Sequence, residues 1–313
     1  FSTGGGGFTF ESRVQSAFVA LMLSRGVCPC IAYRWPIAEV ALQARHRGYE
    51  TDDAVIVTRN DNTGEECKLL LQIKHSIRFT EKDSQMPDVI GAAWRDFNKS
   101  THFTKKRDAI ALVTGPISKT DSENVCRILN VARGASDSAD FFSKINQSKA
   151  VSEAQRNKLK IIRLHVTNAN KGVNPSDDEF WKFLKCYHLI GFDMDLMTGV
   201  TTSLIQSLIG SHTDSDVQSV WNMIVQEVQE KGSVAGILTL ESISEPIKDF
   251  FKRDEVKPVV AIAPSPIKET IALNLIGGWD ESTDGDRSIV ESLSGMAFQD
   301  WQAKIREIWK DQA

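Results

Sequence analysis

The chain has 313 residues, 41% of them hydrophobic, and its 37 Lys plus Arg stand against 41 Asp plus Glu for a net charge of -4. That is enough for one large domain or two ordinary ones with a real core, and it excludes a general attraction to polyanions, so any nucleic-acid contact has to be local. No run of about 18 uninterrupted apolar residues exists, so no membrane association is expected, and five scattered cysteines, odd in number, point to reduced thiols and a cytoplasmic protein.

In chain order, residues 4–7 are glycines with no Walker pattern after them, expected to be a flexible lead-in. Phe10, Val14, Ala17, Phe18 and Leu21 then recur at helical spacing, predicting a helix over 8–25 that Gly26 ends. Glu11 falls at the edge of that apolar stripe, where a carboxylate is either paired or functional. Cys28-Pro29-Cys30 lacks the two-residue spacer and the second pair of a zinc site. Strands are expected at 39–44, 53–58 and 68–74, a helix at 87–98 and a strand at 109–114, an order that gives a mixed α/β core. Further helices are predicted at 121–133, 137–145, 152–159 and 177–185, with strands at 160–166 and 189–194. A first domain is expected over 1–210. Residues 211–313 read as a mainly helical connector, with Val217, Val220, Trp221, Ile224 and Val228 on one face, an extended stretch at 254–265, and helices at 267–276 and 286–311. The chain opens at Phe1 and stops after an unfinished helical pattern, so it is expected to be a fragment of a longer protein.

The chemistry concentrates in one hairpin. Thr51-Asp52-Asp53 leads into an apolar strand, Asn60 to Gly64 form a turn, and the return strand ends in Gln72-Ile73-Lys74. Strand alternation puts Gln72 and Lys74 on one face, and symmetric closure about the turn sets Asp53 opposite Gln72. Carboxylate, amide and ammonium would then share a pocket. Phosphodiester hydrolysis needs a hard cation with oxygen ligands, which Asp53 and Glu11 could supply, and a positive group such as Lys74 beside the attacking water. Gln72 can coordinate Mg²⁺ through its amide oxygen without adding negative charge, predicting weaker metal binding or a single ion. Since neighbouring residues on a strand face opposite ways, only one of Asp52 and Asp53 is expected in the pocket. Basic clusters at Arg45-His46-Arg47, Lys74 to Lys82 and Lys99 to Arg107 are either local DNA contacts or solvated faces. Trp94 and Phe97 read as core rather than stacking platforms, and His75 as turned away from the pocket.

Taken together, Gly7 to Glu11, Thr51-Asp52-Asp53, Gln72 to Ser76 and Ala93-Trp94-Arg95-Asp96-Phe97 resemble the double-stranded-DNA endonuclease domain of bacterial anti-phage effectors. That resemblance covers roughly the first two thirds of the chain. It implies a restriction-endonuclease-like fold of the PD-(D/E)XK class and carries over Glu11, Asp53, Gln72 and Lys74 as the catalytic set. Glu11, Asp53 and Gln72 would be the metal ligands, for Mg²⁺ with Mn²⁺ as a substitute. Such domains precede a cyclic-nucleotide sensor in CBASS effectors and a STAND NTPase in Avs antiviral proteins. The helical pattern after Gly210 favours the Avs setting. The implied partners are double-stranded DNA, further copies of the chain in a homo-oligomer such as a tetramer, and a phage protein and ATP acting through a downstream domain. A non-catalytic binding module on the same fold is the competing class, separable by its response to chelator as against salt.

Overall fold

The computed structural model describes residues 5–147, 151–195 and 199–252, with side chains from Thr9 onward. Helix α1 (Gly5–Leu23) leads into β1 (Ile37–Leu42), a 3₁₀ turn at Ala44–Arg47, and the hairpin β2 (Ala54–Arg59) and β3 (Glu66–Lys74). After α2 (Met86–Phe97) and β4 (Ala109–Thr114), the chain runs through α3 (Lys119–Asp121), a π-helical stretch Ser122–Cys126, and α4 (Arg127–Arg133). Then come α5 (Ser138–Asn146), α6 (Glu153–Ala169), α7 (Asp177–Cys186), β5 (Tyr187–Gly191), α8 (Val200–Gly210), α9 (Val217–Gly232), β6 (Ile237–Leu238) and α10 (Glu245–Phe251).

The six strands make one mixed sheet in the order β5-β4-β3-β2-β1-β6. β6, β1, β2 and β3 are antiparallel neighbours, while β3, β4 and β5 run parallel. Alternation along β3 sorts the two faces: Leu69, Leu71 and Ile73 join the core beneath α1, α8, α9 and α10, and Leu70 joins the core beneath α2 and α4 to α7. The fold is therefore a helix–sheet–helix sandwich with β3 central. In the hairpin turn the Asn60 side chain accepts from the Asn62 and Thr63 N–H groups, and Gly64 supplies the left-handed residue (φ 72°) that closes it.

Three expectations differ from what the structure shows. The first helix begins at Gly5, inside the glycine run: glycine disfavours a helix by about 1 kcal/mol relative to alanine but does not forbid it. The strand expected at 160–166 is instead the middle of α6, started by a reciprocal Ser152–Gln155 capping box. Leu159, Ile162 and Val166 are buried at helical spacing on α6, and nothing between 159 and 160 breaks the chain. The third concerns the boundary at Gly210. The elements from α1 to α10 belong to one compact unit that ends at Lys252: α9 lies on α1, and β6 adds a strand beside β1. The apolar stripe of α9 was legible in the sequence, but not the surface it covers. The extended stretch and helices expected beyond residue 252 lie outside the described residues.

Candidate functional site

The site forms where β2 begins and β3 ends. The pairing Ala54↔Leu71 places Asp53 opposite Gln72, as symmetric closure of the turn requires. Gln72 Nε2 donates to Asp53 Oδ2 at 2.5 Å, the Ile73 N–H donates to the same oxygen at 2.6 Å, and Lys74 Nζ stands 3.6 Å from it. All three converge on Oδ2 and leave Oδ1 to other partners. Asp53 and Gln72 are each only 8% exposed, so this carboxylate is held by fixed donors rather than by bulk water.

Glu11 reaches the site from α1, which packs on the other face of the sheet. Its Oε1 accepts from Gln15 Nε2 at 3.0 Å and from Gln43 Nε2 at 2.5 Å, and Gln15 Nε2 also donates to the Asp53 carbonyl at 2.8 Å. Burial, and then the neighbouring Asp53 charge, push the Glu11 carboxyl up to about 7, against the opposing pull of Lys74. Burial likewise raises Asp53, with Lys74 lowering it in part. The structure thus brings Glu11, Asp53, Gln72 and Lys74 together.

Asp53, Gln72 and Lys74 open onto a cleft of about 670 Å³ whose far wall is α2, with Gln85, Asp88, Ala92 and Arg95. Asp52 lines this cleft as well, against the expectation that only one of the two acids could: residues 51–53 precede β2 in a bend, outside the pleat, so alternation does not separate them. The two still differ, since Asp52 is paired with Arg45 at 2.9 Å while Asp53 holds the β3 donors. Of the basic clusters, Arg45 and Lys74 reach the cleft; Arg47 is paired with Glu39, Lys99 with the Gly48 carbonyl, and Lys105 lies over the Phe97 ring. Trp94 and Phe97 are buried core residues. His75 turns to Asp195 (2.7 Å) and to the edge of Phe10.

Gln15, Gln43, Arg95 and Asp96 escaped the sequence reading as site residues. Gln15 had a usable signal, lying four residues after Glu11 on the same helix face. Asp96, fully buried, accepts from the Glu50 and Thr51 N–H groups and so anchors the turn that delivers Asp52 and Asp53. Its acceptors are set by tertiary packing and leave no local trace.

The donor set suits a hard divalent cation: two carboxylates and an amide oxygen, all oxygen donors, with one buried and one half-buried like charge that a dication would relieve. Among the described residues there is no group of three or more His, Cys, Asp or Glu placed to hold a metal; here the neutral Gln72 stands beside the two carboxylates. No helix among them is long and apolar enough to cross a membrane.

No family model matches the sequence, and no curated protein matches it. Among solved structures, the Cap4 SAVED/CARF-domain-containing receptor of Acinetobacter baumannii is similar at 12% identity with a TM-score of 0.44. The same receptor with the cyclic trinucleotide 3'3'3'-cAAA gives 12% and 0.43, and with 2'3'3'-cAAA 10% and 0.42. These matches cover 80% of this chain and 45% to 47% of the receptor, so the chain spans about half the length of the structures it resembles. Likeness of that degree carries nothing about this chain's chemistry.

Proposed function

We propose that the cleft is the active site of a PD-(D/E)XK-class endonuclease, dependent on Mg²⁺ with Mn²⁺ as a substitute, that degrades double-stranded DNA as part of an anti-phage effector. The observation that carries this reading is the convergence of Asp53, Gln72 and Lys74 at the lip of an open cleft, with Glu11 of α1 tied to Asp53 from behind through Gln15. A divalent cation held by Asp53, Glu11 and the Gln72 amide oxygen would supply Lewis-acid stabilisation and a water acidic enough to attack near neutral pH. Lys74, with about a third of its side chain exposed (31%), sets a positive charge where that water and the phosphoryl oxygens would lie. Gln72 and the Ile73 N–H fix the Asp53 rotamer without cancelling its charge, so orientation is set before substrate arrives. Arg45 and Arg95, on opposite sides of the cleft, would take backbone phosphates by exchanging their present partners Asp52 and Glu50.

Plasmid nicking by the activated full-length protein tests the reading. EDTA should silence it, Mg²⁺ or Mn²⁺ should restore it, and Lys74→Ala should abolish it while leaving the fold intact by circular dichroism. Nicking that survives Lys74→Ala refutes the assignment of the site.

Two settings remain for the nuclease, an Avs protein with a STAND NTPase and a CBASS effector with a cyclic-nucleotide sensor. Since residues up to Lys252 belong to the same compact unit as the site, the helical pattern just after Gly210 no longer favours the first. Cyclic trinucleotides, for which the Cap4 receptor was solved, and ATP with a phage protein are the two triggers to compare for activation of the full-length chain. The neutral Gln72 favours one further reading, a non-catalytic module that binds DNA or a protein in the same cleft. Such a module would respond to salt and not to chelator.

A further inference from the structure

Beyond the four residues of the proposed site, two buried or strained glutamines hold its geometry. Gln15 is 3% exposed, and its single Nε2 spans two chain segments, donating to Glu11 Oε1 on its own helix and to the Asp53 carbonyl at the mouth of β2. Gln43 follows β1 with φ 49° and ψ 53°, a left-handed backbone that a side-chain-bearing residue seldom adopts. From that position its N–H donates to the Asp53 carbonyl at 3.3 Å and its Nε2 to Glu11 Oε1 at 2.5 Å. Each glutamine therefore touches the same two groups, the carbonyl of one acid and one oxygen of the other. Both side chains select Oε1, so Oε2 accepts from neither.

We propose that Gln15 and Gln43 form an amide bracket that sets the spacing and rotamer of Glu11 relative to Asp53, and that presents Glu11 Oε2 to the divalent cation. This rests on the metal-dependent reading of the site. Amides suit the task better than lysine or arginine would, because a neutral donor orients a carboxylate without neutralising it and without competing with the incoming cation. The strained backbone at Gln43 fits a position kept for what its side chain reaches. These are positioning residues, acting through Glu11 and Asp53.

Gln43→Gly separates positioning from structure, since glycine removes the amide yet accepts the left-handed backbone without strain. Gln15→Met, close in size and apolar, is the companion variant. Mn²⁺ binding to the full chain, followed by calorimetry without DNA, is the primary readout, with thermal melting in EDTA beside it. Losing such an orienting partner typically weakens metal binding about 10- to 100-fold. For Gln43→Gly that loss is expected with a melting temperature at or above the wild type's, together with a cleavage defect that saturating Mn²⁺ recovers. Mn²⁺ affinity within twofold of wild type in both variants overturns the bracket while leaving the nuclease reading in place. A wild-type chain that takes up no Mn²⁺ overturns both.

Discussion

Glu11 carries its charge at a disadvantage. Burial and Asp53 push its carboxyl up to about 7 from the ordinary value of 4.5, so the folded chain holds this proton more tightly than the unfolded one. The sign follows from linkage: the folded state loses stability as pH rises from about 4.5 through about 7, and below that window the group has no effect. Glu11→Gln should therefore melt higher than wild type at pH 8 in EDTA, by a few degrees for about 1–2 kcal/mol after discounting for partial exposure. The gap should close by pH 5. A gap that widens toward acid would mean the carboxylate is stabilised in the fold. Asp96 is a fully buried acceptor of the two N–H groups that shape the Glu50–Thr51 turn. Asp96→Ala strands both donors and should lower unfolding stability by about 3 kcal/mol, read from urea titration. The loss of amide-exchange protection should concentrate at residues 50–53. Uniform loss across the chain would count against a local anchoring role.

At the level of elements, the hairpin carrying the site was legible because its information is local. Two apolar runs joined by an Asn/Gly turn fix the register by symmetric closure, and with it the meeting of Asp53 and Gln72. β4 was legible for the same reason. The amides that hold Glu11 were not: Gln43 depends on an unusual backbone at the end of β1, and Gln15 on how α1 sits over β2. The stretch 160–166 misleads because its β-branched residues imitate a strand, while the capping box eight residues earlier keeps the chain helical. Burial by distant partners is equally silent in sequence, which is why the boundary was expected at Gly210. The packing of α9, β6 and α10 leads to a definite outcome for truncation. A chain ending at Gly210 would uncover the surface now under Val220, Trp221, Ile224, Val228, Leu238, Ile247 and Phe251, and leave β1 as a bare sheet edge. It should aggregate on size-exclusion chromatography, whereas a chain ending at Lys252 should elute as a folded species. Equal melting temperatures for the two would show that these elements add nothing to the unit.

For the molecule as a whole, charge sets the terms on which the proposed nuclease would bind DNA. With a net charge of -4 and most residues of the basic clusters already engaged within the chain, one copy neutralises few phosphates and releases few counterions. Binding by a monomer should be weak and fall steeply with salt. Two or more copies on one duplex would raise the effective concentration of each further contact. Activity is therefore expected to track assembly of the full-length protein. A demonstrably monomeric 1–313 chain that cuts duplex DNA at low concentration as fast as the activated full-length protein would refute this.

The seating of α1 also bears on how the protein is made. Glu11, Asp53, Gln72 and Lys74 lie between residues 11 and 74, yet the helix that carries Glu11 is covered by α9 at Val217–Gly232. At about 5–20 residues per second, the covering helix follows Lys74 by an interval on the order of ten seconds. Through that interval the nascent chain holds these four side chains without the packing that fixes the helix of the first of them. A site arranged this way is completed only when α9, more than 140 residues further along the chain, closes over the first helix.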